Sequence, residues 1–205
     1  HNENPLAPSN HVIDKIKENV NDALRLYPDP NGTKLVAAIA DYYCVDADCV
    51  FLGNGSDEVL AFSFLSFFKD KSLISFPNIS YSFYPVYCDI FEIKHATFSL
   101  NENFEIDIKK IPRHVEGIIF PNPNAPTGIY LATDQIEKLA NKFPDALIII
   151  DEAYIDFGGT SSIPLTQRHE NLLVVQTFSK SRSLAGLRIG YAVGNPKLIQ
   201  ALNRV

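Results

Sequence analysis

Lys180 follows an apolar run, Asn171-Leu172-Leu173-Val174-Val175-Gln176, and closes the tetrapeptide Thr177-Phe178-Ser179-Lys180. Arg188 comes soon after, within Ala185-Gly186-Leu187-Arg188-Ile189-Gly190-Tyr191. Upstream, a second apolar run, Ala146-Leu147-Ile148-Ile149-Ile150, ends in Asp151-Glu152-Ala153-Tyr154. A free lysine, with a pKa near ~10.4, is protonated and a poor nucleophile at neutral pH. Condensed with an aldehyde it becomes an electrophile that a second amine can displace, and once released it can carry a proton. Asp151 ends a buried strand, an expensive place for a carboxylate unless a cation such as a protonated ring nitrogen meets it. Tyr154 adds a phenol, Thr177 and Ser179 add hydroxyls, and Arg188 can pair bidentately with a phosphate. Singly, each has a bland reading: a surface lysine, a strand-end cap, an arginine paired with a structural carboxylate. Glu152 beside Asp151 hints at a metal pair, but no histidine is suitably spaced, so no metal is expected.

A second anion-binding element is legible earlier. Gly53-Asn54-Gly55 breaks a short strand, and Ser56-Asp57 opens a helix whose first amides point at any anion placed there. Asp57 reads as a helix cap with its side chain turned away from that anion. Glycine-rich helix starts are common, so this signal is weak in isolation. Asn122 and Asn124, in Pro121-Asn122-Pro123-Asn124-Ala125-Pro126-Thr127-Gly128, are turn residues that could also donate to a ligand.

The elements that must position these residues alternate along the chain. Ser9 or Asn10 caps a helix to about Leu24; Thr33 caps a helix carrying Leu35, Val36, Ile39 and Tyr43. Strands are expected at Val50–Leu52, Leu73–Phe76, Phe91–Lys94, Gly117–Phe120 and near 147, 172 and 189. Helices are expected from Ser56 to about Phe68, near Tyr81 to Tyr87, and from Thr133 to Phe143. Apolar strands separated by helices argue for an α/β protein with a mostly parallel sheet and helices on both faces. Ligands of such sheets sit beyond the carboxyl ends of the strands, where Asn122, Asp151, Tyr154 and Lys180 all fall.

The bulk numbers exclude several classes. The chain has 205 residues, 46% apolar and 20% charged, enough for a substantial core. A net charge of -6 argues against general nucleic-acid or anionic-membrane binding. No apolar stretch approaches the roughly 18 residues of a membrane span, and no targeting segment is read. The 3 cysteines, Cys44, Cys49 and Cys88, form no CxxC pair and read as free thiols of a reducing compartment. The chain starts at His1, contains no methionine, and stops inside Pro196–Arg204, which reads as a helix under way; a piece of a longer product is expected.

Tyr27-Pro28-Asp29-Pro30, Gly55-Ser56-Asp57-Glu58, Pro123-Asn124-Ala125-Pro126-Thr127-Gly128, Asp151-Glu152-Ala153-Tyr154 and Ser179-Lys180 through Arg188 occur in the order seen in fold-type-I pyridoxal-phosphate aminotransferases. The set resembles, over essentially the whole chain, the arm and large domain of the histidinol-phosphate aminotransferase group, to which Asn2-Glu3-Asn4-Pro5 is also similar. The resemblance implies an arm, helix and dimer-contact turn over 1–30 and a large domain binding pyridoxal 5′-phosphate over 31–205, with the C-terminal small domain missing from this chain. It implies Lys180 as the cofactor-linked base, Asp151 facing the ring nitrogen, and Tyr154 with Asn124 or Asn122 at the ring oxygen. It places Ser56, Asp57, Thr177, Ser179 and Arg188 around the phosphate, Tyr81 stacked on the ring, and Asn4 near substrate. Tyr27 would reach the cofactor phosphate of a partner subunit, which implies a homodimer. The implied reaction moves an amino group from histidinol phosphate to 2-oxoglutarate in the cytoplasm. A phosphothreonine decarboxylase, an aromatic aminotransferase or a non-catalytic binding module of the same fold are the alternatives. One departure stands out: the commoner pattern has asparagine directly before Pro-Thr-Gly, where this chain has Ala125.

Overall fold

The structure, a computed structural model, describes residues 2–71 and 73–205. After an extended arm, helix α1 spans Asn10–Glu18, with the Ser9 hydroxyl accepting from the Val12 amide. It is amphipathic yet buries none of its residues. The helix stops short of the expected Leu24 because the Asn19 amide closes it onto Ile16 and Lys17. Asn21 then caps a separate single turn over Asp22–Arg25; asparagine side chains compete with the helical backbone in this way.

Helix α2 (Thr33–Tyr43) leads to β1 (Val50–Asn54) and α3 (Ser56–Ser63), whose last turn loosens into a π-turn over Phe64–Phe68. Next come β2 (Ile74–Pro77), α4 (Tyr84–Phe91), β3 (His95–Phe98), β4 (Gly117–Pro121) and α5 (Thr133–Lys142). The chain ends with β5 (Leu147–Asp151), β6 (Leu172–Thr177), β7 (Ile189–Gly194) and α6 (Pro196–Leu202). Strand β3 lies later than the expected Phe91–Lys94. Phe91 completes α4 and Glu92 closes it in the left-handed conformation at φ 57, so the chain can pair only beyond that turn.

The strands make one 7-stranded sheet in the order β1-β7-β6-β5-β4-β2-β3. β7 runs antiparallel to β1 and β6, and the remaining pairings are parallel. One face packs α2 and α5 through Ile39, Ile136 and Leu139 against Ile148, Ile150 and Val174. The other packs α3, α4 and α6 through Leu60, Tyr84 and Ile199 against Ile149, Leu173 and Val175. With helices on both faces, Ile148 to Ile150 and Leu172 to Val175 are all 0% exposed. That is why these segments read as unbroken apolar runs rather than alternating ones. Each such side chain contributes about 1.5–3 kcal/mol of burial, which anchors β5, ending at Asp151, and β6, which leads into the loop of Lys180.

Candidate active site

The carboxyl ends of the central parallel strands open onto a cavity of about 530 Å³. Asp151 closes β5 and enters it from below, 6% exposed. The Tyr84 hydroxyl donates to Asp151 Oδ2 at 3.1 Å and the Ala153 amide to Oδ1 at 3.2 Å. Burial pushes this carboxyl up to about 6, against the pull of those donors and of Lys180. Among the described residues no cation stands in hydrogen-bonding reach of this acid, so a cation placed there would favour its charged form.

Lys180 reaches the same cavity from the loop after β6. Its Nζ donates to the Asn2 carbonyl at 2.7 Å and lies 5.5 Å from the centroid of the Tyr154 ring. The Tyr154 hydroxyl accepts from Asn2 Nδ2 at 3.2 Å. The lysine, from the loop after β6, thus lines one space with the aspartate and the tyrosine, from the end of β5 and the turn after it.

At the cavity's other end, α3 begins at Gly55 with no side-chain cap. The Arg188 guanidinium fills the place a side chain would take: a Cβ on Gly55 would sit 2.4 Å from its NH2 group. Gly55 also holds φ 84, a conformation that glycine adopts without penalty. Gly190 makes the matching concession, since a Cβ there would lie 2.3 Å from the Ser56 nitrogen. Strand β7 therefore approaches the helix start closely enough to bring Arg188 over it. The Thr177 and Ser179 hydroxyls, 3.0 Å apart, complete the rim. Uncapped amides, an arginine and two hydroxyls make a cradle for an anion.

Asp57 departs from the sequence reading. It caps nothing: its Oδ1 accepts from the Tyr81 hydroxyl at 2.9 Å and its Oδ2 lies 3.5 Å from Arg188. Its side chain lines the cavity rather than turning away. Tyr81 is half-buried, tied at its hydroxyl and presenting its ring as a cavity wall, with burial and the Asp57 carboxylate both raising its pKa.

Neither candidate asparagine lines the cavity. Asn124 is 1% exposed and outside the cavity lining; its amide donates to the Ile79 carbonyl at 3.0 Å and the Thr127 hydroxyl at 3.1 Å. Asn122, fully buried, donates to the Leu131 carbonyl at 2.9 Å and accepts from the Leu131 amide at 2.8 Å. Both brace the loop, and the position that faces the cavity is Ala125. Asn4 likewise lies outside the lining of this cavity: its amide latches the arm to the Lys180 carbonyl at 3.0 Å. Asn2 and Glu3 line the cavity in its place. Tyr27 is 100% exposed. Sequence reasoning missed Asn2, Glu3 and Tyr84; the only available signal for Tyr84 was its place one helical turn after Tyr81.

Comparison with known proteins agrees with this geometry. The sequence family "Aminotransferase class I and II" matches residues 1–205. The histidinol-phosphate aminotransferase of Pseudomonas syringae pv. syringae (strain B728a) is 55% identical over 204 residues, covering 100% of this chain and 58% of that protein. The chain therefore spans little more than half the length of the curated relatives it matches. Among solved structures, the histidinol-phosphate aminotransferase from Clostridium acetobutylicum superimposes with a TM-score of 0.89 at 27% identity, over 100% of this chain and 62% of that one. The L-threonine-O-3-phosphate decarboxylase from Porphyromonas gingivalis shares the fold, with a TM-score of 0.82 at 24% identity over 97% of this chain and 60% of that one.

Proposed function

From the premise that this chain belongs to the class I and II aminotransferases, we propose that its cavity holds pyridoxal 5′-phosphate and serves transamination of histidinol phosphate with 2-oxoglutarate. The observation that carries the reading is the convergence of Lys180, buried Asp151 and the Gly55–Arg188 cradle on one cavity. The donor set fits the cofactor's three functional groups: an amine for its aldehyde, a cation-seeking carboxylate for its ring nitrogen, and an anion cradle for its phosphate.

When bound, pyridoxal phosphate supplies an aldehyde and an electron-withdrawing ring that accepts charge developing at a substrate Cα. The protein does the rest. Lys180 would bind the aldehyde and, when displaced, move the proton at substrate Cα. Asp151 would hold a proton on the ring nitrogen, its charge stabilised by the cation it gains. Arg188, the first amides of α3, Thr177 and Ser179 would anchor the phosphate. Tyr81 would wall the ring. Tyr154 would donate to the ring oxygen, while the amides of Asn122 and Asn124 are engaged within their own loop and by Ile79.

The substrate assignment rests on the 55% identity with a histidinol-phosphate aminotransferase. We assign the arm and turn over 1–30 to a homodimer contact, supported by the exposed row Leu6, Val20, Leu24, Leu26 and Tyr27. Cytoplasmic residence belongs to the same proposal, supported by the absence of any disulfide among Cys44, Cys49 and Cys88. Among the described residues no helix is long and apolar enough to cross a membrane.

The test is spectroscopic first. Protein purified with the cofactor should show the visible band of a lysine-linked pyridoxal, and Lys180→Ala should abolish it; wild-type protein without the band would end the proposal. The loaded protein should then form glutamate from histidinol phosphate and 2-oxoglutarate. Carbon dioxide released from phosphothreonine would instead move it to the decarboxylases.

A further inference from the structure

Glu152 follows Asp151 but faces the opposite side of the sheet, as alternation along an extended chain requires. It is 1% exposed and, among the described residues, no cation pairs with it. Its Oε1 accepts from the Ser162 amide at 2.6 Å, and its Oε2 accepts from the Ser161 hydroxyl at 2.6 Å and Gln176 Nε2 at 2.8 Å. Gln176 Oε1 in turn accepts from the Tyr43 hydroxyl at 2.7 Å and the Tyr191 hydroxyl at 2.6 Å. The cluster thus joins the end of β5, the end of β6, β7, α2 and the 161–162 loop on the face behind the cavity.

Its members border the site's own residues along the chain. Glu152 adjoins Asp151, and its amide extends the β5–β6 ladder by donating to Val175 at 2.8 Å. Gln176 adjoins Thr177 and stands one loop turn before Lys180. Resting on the cofactor reading above, we propose that Glu152 is a positioning residue: through Gln176 it clamps the ends of β5 and β6 together from behind, so that Asp151 and Lys180 address the same ligand.

The donor count explains why an acid stands here. Ser161, Ser162 and Gln176 all present hydrogens to position 152, and only a carboxylate accepts at both of its oxygens. Burial pushes the Glu152 carboxyl up to about 7, while those donors pull it back. A glutamine at 152 would set an NH2 group against one of the donors. Gln176 would then have to turn its amide, bringing its own NH2 group to the two tyrosine hydroxyls. The clamp would lose its direction of donation with almost no change in volume.

The experiment compares Glu152→Gln with the reciprocal pair Glu152→Gln/Gln176→Glu, in protein titrated with pyridoxal 5′-phosphate. Cofactor affinity and the pH midpoint of the visible band are the readouts. The single variant should bind the cofactor at least about tenfold more weakly, the equivalent of one buried hydrogen bond to a charged group, and should shift the midpoint. The pair returns a carboxylate to the cluster, next to the tyrosines, and should restore both readouts to within about threefold, on the same bookkeeping. A Glu152→Gln protein indistinguishable from wild type in both readouts overturns the proposal. So does a pair as impaired as the single variant, whether by misfolding or by weak binding. Should Glu152→Gln fail to fold, a folded, cofactor-binding pair supports the clamp. A wild-type protein that shows no band fails differently, because it removes the cofactor reading beneath this one.

Discussion

Asp151→Asn sets the stability of the ligand-free protein against its affinity for the cofactor. Burial raises the Asp151 carboxyl from 3.8 to about 6, so the folded protein holds this proton more tightly than the unfolded chain does. The group's contribution to stability is therefore complete below about pH 4 and is lost as pH rises through about 6. At about 1.36 kcal/mol per unit, the ionised carboxylate costs about 3 kcal/mol above about pH 7, and about half that near pH 5. Asparagine removes the charge and keeps both contacts: its oxygen can accept from Ala153 and its NH2 can donate to Tyr84. Ligand-free Asp151→Asn should melt about 6–12 °C above wild type near pH 8, with the gap halving near pH 5. The cofactor should invert the order. A ring cation beside Asp151 returns that same free energy to the wild type, so the variant should bind the cofactor about 100-fold more weakly. Scanning calorimetry at the two pH values and a fluorescence titration with pyridoxal phosphate measure both halves. A variant no more stable than wild type near pH 8, or one whose cofactor affinity stays within about threefold, on the same conversion, would refute the reasoning.

Gly55→Ala should cost about 1–3 kcal/mol in chemical denaturation, because the new Cβ meets the Arg188 guanidinium at a left-handed backbone position. It should also weaken inhibition of cofactor loading by inorganic phosphate, as Arg188 is pushed off the helix start. Asn122→Ala removes two buried bonds to the Leu131 backbone and should cost about 2–4 kcal/mol, with the cofactor's band position unmoved in absorption spectra. A shifted band would return Asn122 to the site.

Much of the site could be read from one-dimensional spacing. Asp151, Tyr154, Thr177, Ser179 and Lys180 end or follow apolar runs, positions that gather on one rim of a parallel sheet, and Arg188, which precedes β7, reaches that rim because β7 runs antiparallel. Two corrections came from side-chain direction. Asp57, in the first turn of α3, turns in to meet Tyr81, while Asn124, in the loop after β4, turns out to meet Ile79. Spacing cannot distinguish these outcomes, because at a helix start or in a loop the direction of a side chain is set by partners distant in the chain.

The order of strands and helices, the two-sided burial of β5 and β6 and the chemistry at their ends were set by the pattern of apolar residues, which answers to local backbone periodicity. Pairing across long separations was not. The Tyr84 hydroxyl on Asp151, the arm's Asn2 on Lys180 and Tyr154, and the Glu152–Gln176 clamp each join residues from distant parts of the chain. A hydrogen bond depends on where two groups end up to within a fraction of an ångström, and only the packed sheet with its helices sets that distance.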